Sequence, residues 1–472
     1  MTITPDYRSL ATKALADAAP DVLWFDDPDR PERLGALVGT EHTDLAVVGG
    51  GYSGLWTALL AKRRNPDTDV ILVESTDVAG AASGRNGGFA SDSLTHGYSN
   101  GLSRFPREID TLTQLGQDNL AALVADLGHL DIDCDFEWTG QLDIAVDDWQ
   151  VDGLAEEFDR FVESGGDAEF FDRDQLQAEI HSPTYRAGLW DKKGAAVLNP
   201  ARLAWGLRRA CLDAGVRIYE HSHVTDLVNR DGGITLTTTY GTIRAKHTVL
   251  ATNVFPSLIR RARAYTVPVY DYVLATEPLT AEQLDRIGWH RRQGLADAGN
   301  QFHYYRLTAD NRIVWGGYDA IYHFGKRVSS DHNHRPQTYR TLAEHFFATF
   351  PQLTDVRFTH RWGGAIDTCS RFSVFFGTAM DGNVAYSAGY TGLGVAATRF
   401  GAEVTLDLLA GEETERTRLK MVRTKPIPFP PEPLAYIGVQ ATRWSMARAD
   451  GNEGRRNLWL KAMDAVGLGF DS

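Results

Sequence analysis

Two kinds of hydrophobic spacing alternate along this chain. Leu45-Ala46-Val47-Val48 and Val70-Ile71-Leu72-Val73 are short unbroken apolar runs, the pattern of strands buried on both faces. Between them, Leu55 to Arg64 has helical spacing, and Asn65-Pro66 stops it. Helical spacing returns at Ile109–Leu127 (Leu112, Leu115, Leu120, Leu123, Val124), Leu154–Gly165 and Leu342–Phe350. Residues 140–146 alternate as a strand does, and further strands are predicted at Val216–Glu220, Val267–Thr276, Phe302–Leu307, Arg312–Gly317 and Asn383–Ala388. Ala309-Asp310-Asn311 marks a turn between two of them. Pro200 suits the first turn of a helix through Ala214, with Gly215 at its end. Val224–Leu227 and Ile234–Tyr240 predict a hairpin-rich insert, and Thr248–Asn253 is an apolar run ending in small residues.

The order strand, helix, strand at 44–74 predicts an α/β chain whose first domain is Rossmann-like. Its segments are 1–95, 193–260 and 355–412, interleaved with an α+β second domain, 96–192 and 261–354, on a mixed or antiparallel sheet. The acids around 147–175 read as a solvated face. Pro426–Pro433 is a linker, and 413–472 forms a linker and helical tail. The tail's amphipathic residues, Trp444, Trp459 and Leu460, are expected to pack back on their own domain rather than on a partner or membrane.

Composition narrows the function. The formal charge of −14 argues against a broad nucleic-acid-binding face. Cys134, Cys211 and Cys369 are far apart and make no zinc pattern, Cys-x-x-Cys or disulfide framework, so a reduced cytoplasmic setting and no metal are expected. No signal-peptide pattern opens the chain, and no apolar stretch is long enough to insert across a bilayer.

The glycines carry the chemistry. In Gly49-Gly50-Gly51-Tyr52-Ser53-Gly54, Gly49 permits a tight turn, Gly51 lets a pyrophosphate approach the backbone, and Gly54 lets the helix pack on the strand. The helix N-terminus offers N–H groups to the phosphates, and Glu74, 20 residues after Gly54, is placed for a ribose hydroxyl. The small-residue loop Gly80–Phe89 can wrap a flat ligand. A second glycine turn, Gly389-Tyr390-Thr391-Gly392-Leu393-Gly394, precedes a helix from Val395 to Leu409 that ends at Gly411.

Together with Gly84-Arg85-Asn86-Gly87-Gly88, Arg361–Asp367, Tyr304–Asp310 and Thr276–Leu279, these motifs resemble the D-amino-acid-oxidase superfamily of FAD-dependent oxidoreductases. Within it, the chain is similar to the gamma-glutamylputrescine oxidase-like amine oxidases over roughly 40–412. The resemblance implies FAD on Gly49, Gly51, Ser53 and Gly54 at the pyrophosphate, with Glu74 at the adenosine ribose, Val224 at adenine, and Tyr52 and Ser75 as further cofactor contacts. It implies Ala82, Ser83, Arg85, Asn86, Gly87 and Gly88 along the pyrophosphate toward the flavin, and Ala251 and Thr252 closing over it. Thr391, Gly392, Leu393 and Gly394 would meet the pyrimidine end of the flavin, where a helix N-terminus stabilises charge on the reduced ring, and Gly364 is a further cofactor contact. Some sarcosine-oxidase relatives attach FAD to a cysteine and use a lysine above the flavin for oxygen. Cys369 does not fall on that position, so non-covalent FAD is expected, and Ile313–Gly317 has no lysine.

The implied reaction is oxidation of the C–N bond of a small amine or amino acid to an imine, then an aldehyde or keto acid, with oxygen becoming hydrogen peroxide. An amine dehydrogenase with another acceptor, an NAD(P)-dependent dehydrogenase and a non-catalytic flavoprotein module are the alternatives. In the strand 302–307, His303 and Tyr305 share one face, while Phe302, Tyr304 and Arg306 share the other. His303 and Tyr305 are the preferred pocket residues, Trp315 and Trp362 candidate walls, and Arg371 a candidate anchor for a substrate anion.

Overall fold

The computed structural model describes residues 5–230, 232–465 and 468. Residues 1–4 of the expected opening arm, and 466–467 and 469–472 of the expected tail, lie outside the described residues.

The apolar run at 45–48 becomes the inner end of a strand, Gly39–Val48, at the centre of a mainly parallel sheet. Its neighbours are Val70–Val73 and Gly241–Leu250, and the order continues outward to Arg217–Tyr219 on one side and to Val384–Ala388 on the other. Val48 stands opposite Val73 and Leu250, so three parallel strands end at one level. Gly49, Glu74 and Ala251 follow them there, at the carboxyl edge where α/β sheets bind ligands. The helices Tyr52–Arg64, Pro200–Asp213 and Gly394–Ala410 cover one face. Asn199 caps the second of these, its side chain accepting from the N–H groups of Ala201 and Arg202, with Pro200 in the first turn.

The second sheet is mixed. Its order is Ile321–Tyr322, Thr266–Thr276, Ile313–Gly317, His303–Leu307, Gly294–Asp297, Gln141–Ala145, Ala187–Asp191, Ala168–Phe171, with Phe358–Cys369 also on Thr266–Thr276. Only Gly294–Asp297 and Gln141–Ala145 pair in parallel among these described strands. The helix Pro336–Thr349 packs behind it over a core of aromatic rings that includes Tyr305, Trp315, Phe346 and Phe350.

Three placements differ from the sequence-based expectations. The helix Ile109–His129 lies in the segment assigned to the second domain, yet Leu120, Leu123 and Leu127 join the core around Tyr52–Arg64. The helix Pro5–Ala14 opens the segment assigned to the first domain, yet Ala11 and Ala14 join the core behind the second sheet. Glu157, among the acids read as a solvated face, borders the internal cavity. Helical periodicity shows that a helix has an apolar stripe; it carries no information on which sheet receives it.

Candidate active site

The two sheets enclose a cavity of about 1960 Å³, beyond the roughly 300–1,000 Å³ of ordinary small-molecule pockets. Its lining runs from Glu74, Ser75 and Val224, past Gly49, Gly51 and Ser53, to Ala82, Ser83, Arg85, Asn86 and Gly87. It continues past Ala251, Thr252, Gly364 and Thr391–Gly394 to Asp271 and Tyr304 on the second sheet.

The first glycine turn has no room for side chains. Gly49 has φ +116°, and a Cβ there would lie 2.3 Å from the Ala251 carbonyl oxygen. On Gly54 it would lie 1.9 Å from the Gly49 carbonyl oxygen, which is the helix-to-strand contact. On Gly51 it would meet Ser83 Oγ at 2.8 Å, where that hydroxyl accepts the Tyr52 N–H at 3.0 Å. Tyr52 turns its own hydroxyl away, donating to the Pro200 carbonyl at 2.7 Å. Glu74 Oε2 accepts the Gly50 N–H at 2.7 Å, while Oε1 accepts from Ser75 and Thr76.

The loop at 84–88 is held from behind. Its carbonyls at Arg85, Asn86 and Gly87 accept, in turn, Trp362 Nε1 at 2.7 Å, Trp24 Nε1 at 2.9 Å and Arg306 Nε at 2.8 Å. Three buried donors thereby turn three successive carbonyls away from the cavity. Gly88, at φ +79°, packs against the Leu198 carbonyl and lies behind the lining, as Gly54 does.

Beneath the second glycine turn, Asp367 accepts the N–H groups of Gly389 at 2.5 Å and Tyr390 at 3.3 Å. Burial pushes this carboxyl up to about 6, and the backbone donors act against that. The helix Gly394–Ala410 begins on the cavity edge, with Gly394 and Val395 in the lining. His96 lies beside Thr391, and burial pushes its imidazole down to about 4.

The second sheet presents the opposite face from the one expected. His303 and Tyr305 point into the aromatic core. His303 Nδ1 bonds Asp297 at 2.5 Å and Nε2 bonds His345 at 2.9 Å; Tyr305 bonds the Tyr185 hydroxyl at 2.8 Å. Trp315 is buried with them, 4.4 Å from the Tyr305 ring. Trp362 is a support for the 84–88 loop, as above, and Arg371 gives its guanidinium to the carbonyls of Ser373, Val374, Met421 and Thr424. None of these five residues borders the cavity.

Tyr304 does border it. Its ring lies over Gly316, where a Cβ would be 2.7 Å from the hydroxyl, and that hydroxyl donates to Asp271 at 2.5 Å. Burial raises the Asp271 carboxyl to about 6, with the Tyr304 hydrogen bond acting in the opposite direction. Alternation had divided the strand correctly into two faces, and the flanking glycines Gly316-Gly317 were the available sign that Tyr304 needs space above its neighbour.

Further along, Asp92, Asp143, Asp191 and Glu157 converge on one end of the cavity. Burial, then each other's charge, pushes Asp92 and Asp143 up to about 7; burial raises Asp191 and Glu157 as well. Among the described residues no lysine or arginine forms an ion pair with any of the four.

The family model described as "DAO: FAD dependent oxidoreductase" matches residues 44–408. The chain belongs to the DAO family. Gamma-glutamylputrescine oxidoreductase of Escherichia coli is 31% identical over 382 residues, 78% of this chain and 84% of that one. A probable oxidoreductase OrdL of Haemophilus influenzae is 26% identical over 402 residues, covering 83% of this chain and 88% of the relative. Glycine oxidase from Geobacillus kaustophilus superposes with a TM-score of 0.68 at 19% identity, covering 82% of this chain and all of that one, a likeness of fold. This DAO chain is an FAD-dependent oxidoreductase. The fit of its residues to FAD is visible in the side-chain-free glycines 49–51, the helix N-terminus behind them, and a cavity that joins that turn to the second one. No helix among the described residues is long and apolar enough to cross a membrane.

Proposed function

We propose that this enzyme oxidises the C–N bond of a small amine that bears a second positive charge, as a polyamine derivative does. The observation that carries this reading is the recess of Asp92, Asp143, Asp191 and Glu157, four carboxyl groups in the same cavity as the glycine turns, none of them ion-paired with a lysine or arginine among the described residues, although Arg160 acts on Glu157 from a distance. Unpaired buried carboxylates favour a cationic guest, which would restore their ionised forms. The relative named for gamma-glutamylputrescine, at 31% identity, supports an amine of this class.

The residues divide the work. Gly49, Gly51, Ser53 and the N-terminus of the Tyr52–Arg64 helix would hold the FAD pyrophosphate, Glu74 the ribose and Val224 the adenine. Arg85, Asn86, Gly87, Gly364 and Thr391–Gly394 would line the flavin end. Asp271, oriented by Tyr304, accepts a proton from the substrate ammonium, leaving the neutral amine whose α-carbon gives up a hydride equivalent. FAD, when bound, supplies the two-electron acceptor for that hydride. Hydrolysis of the imine yields an aldehyde or keto acid and a shorter amine or ammonia. Burial raises the Cys369 thiol above its ordinary range, which supports non-covalent FAD.

Oxygen is the proposed terminal acceptor, taking two electrons and two protons as hydrogen peroxide. A second reading, a dehydrogenase with another acceptor, is favoured by Ile313–Gly317, which brings Gly316 and no lysine beneath Tyr304. Anaerobic bleaching of the flavin by a matched panel of monoamines and diamines tests the substrate. Diamines are expected to bleach at lower concentration; equal potency would remove the recess from substrate recognition, and no bleaching by any amine would remove the whole reading. Peroxide release on admitting air separates the two acceptors.

A further inference from the structure

Part of the cavity wall lies outside the family match, which ends at residue 408. The proline-rich linker borders the cavity, followed by Gly438, Val439, Thr442 and Met446 of the helix Leu434–Asp450 and Trp459 and Met463 of Leu458–Ala465. These four residues of the longer helix fall on one face. Its other face exposes Trp444, at 60%.

The hairpin is seated by polar tethers. Asp450 accepts the N–H groups of Asn300 at 3.1 Å and Gln301 at 3.0 Å, and the Asn300 side-chain amide at 2.6 Å. Arg443 pairs with Asp319 at 2.9 Å, and Glu432 accepts from the Tyr322 hydroxyl and the Gly325 N–H. Asn300, Gln301 and Asp319 themselves line the cavity. Among the described residues, none beyond Val422 belongs to a hydrophobic cluster. Tyr436 adds ring contacts with Tyr322 and Phe324, so polar tethers and a small aromatic contact together hold the hairpin in place.

We propose that this C-terminal hairpin is the specificity-determining wall of the cavity and sets the size of amine admitted, resting on the reading that the cavity takes an amine. Gly438 is the position at which the wall can be thickened. It lines the cavity, and a Cβ there meets nothing within 4 Å.

The test uses full-length FAD-loaded protein carrying Gly438→Phe, with Gly438→Ala as the control for helix propensity. Flavin content and melting temperature are expected to stay at native values. Acrylamide quenching of bound-flavin fluorescence should fall about twofold, and KM for an N-benzyl amine should rise roughly tenfold while that of the smallest active amine holds. Met446→Trp, on the same face, makes the same measurement should Gly438→Phe fail to fold. Native quenching and a native KM ratio in flavin-loaded variants would overturn the proposal. Should no amine bleach even the native protein, the substrate reading fails alone, and the quenching comparison still decides whether the hairpin bounds the cavity.

Discussion

Trp362 donates its indole N–H to the carbonyl oxygen of Arg85 at 2.7 Å, from the middle of a sheet strand to the middle of the cofactor loop. Trp362→Phe keeps most of the ring and removes the donor. A buried carbonyl left unpaired costs roughly 1–3 kcal/mol. The melting temperature should fall and FAD should dissociate faster, both followed by flavin fluorescence. Unchanged FAD release would mean that the loop holds its shape without this bond.

Gly51→Ala places a methyl group 2.8 Å from Ser83 Oγ, at the edge where the pyrophosphate would lie. The purified variant should carry little flavin, read from the ratio of its visible to its ultraviolet absorbance. Full flavin content would displace the pyrophosphate from this turn.

Tyr304 and Tyr305 are neighbours with opposite surroundings. Tyr304→Phe should lower kcat/KM by roughly tenfold or more, as loss of an acid–base partner does. The Tyr304 hydrogen bond holds the Asp271 carboxyl lower than burial alone would, so its loss should move the acidic limb of the kcat/KM profile from near 6 to higher pH. Asp271→Asn should abolish that limb. Tyr305→Phe should leave the profile in place and reduce stability by about 1 kcal/mol, through the lost bond to Tyr185.

Asp143→Asn should stabilise the substrate-free protein at pH 8. Its carboxyl is raised from 3.8 to about 7 in the fold, so the folded state binds the proton more tightly. The cost of ionising it is complete above pH 7 and shrinks as pH falls toward 3.8. The gain in melting temperature should follow the same course, and Gln141 keeps an acceptor in the amide. A gain independent of pH would place its origin elsewhere.

Much of the nucleotide half was legible before any coordinates, because each step was local. Leu45–Val48, the glycines at 49–54 and the helix to Arg64 are neighbours in sequence, and their spacing specifies their contacts. The Gly394–Ala410 helix, ended by Gly411 at φ +67°, was legible for the same reason. The substrate half was less so. Alternation separated His303 from Tyr304 but left open which face meets the cavity, since that depends on a helix, Pro336–Thr349, supplied later in the chain. Asp143 and Asp191 sit on paired strands almost fifty residues apart, and their meeting follows from register rather than from a motif.

The central strand Gly39–Val48 carries a consequence for synthesis. One neighbour, Gly241–Leu250, leaves the ribosome long after it, and Val384–Ala388, which completes that side of the sheet, follows later still. Such long-range parallel pairing is slow to form. The first glycine turn thus emerges early and waits for the second. Bound FAD would then certify a finished chain: a nascent or truncated product ending before 394 keeps its first glycine turn but lacks the helix proposed to meet the other end of the ligand.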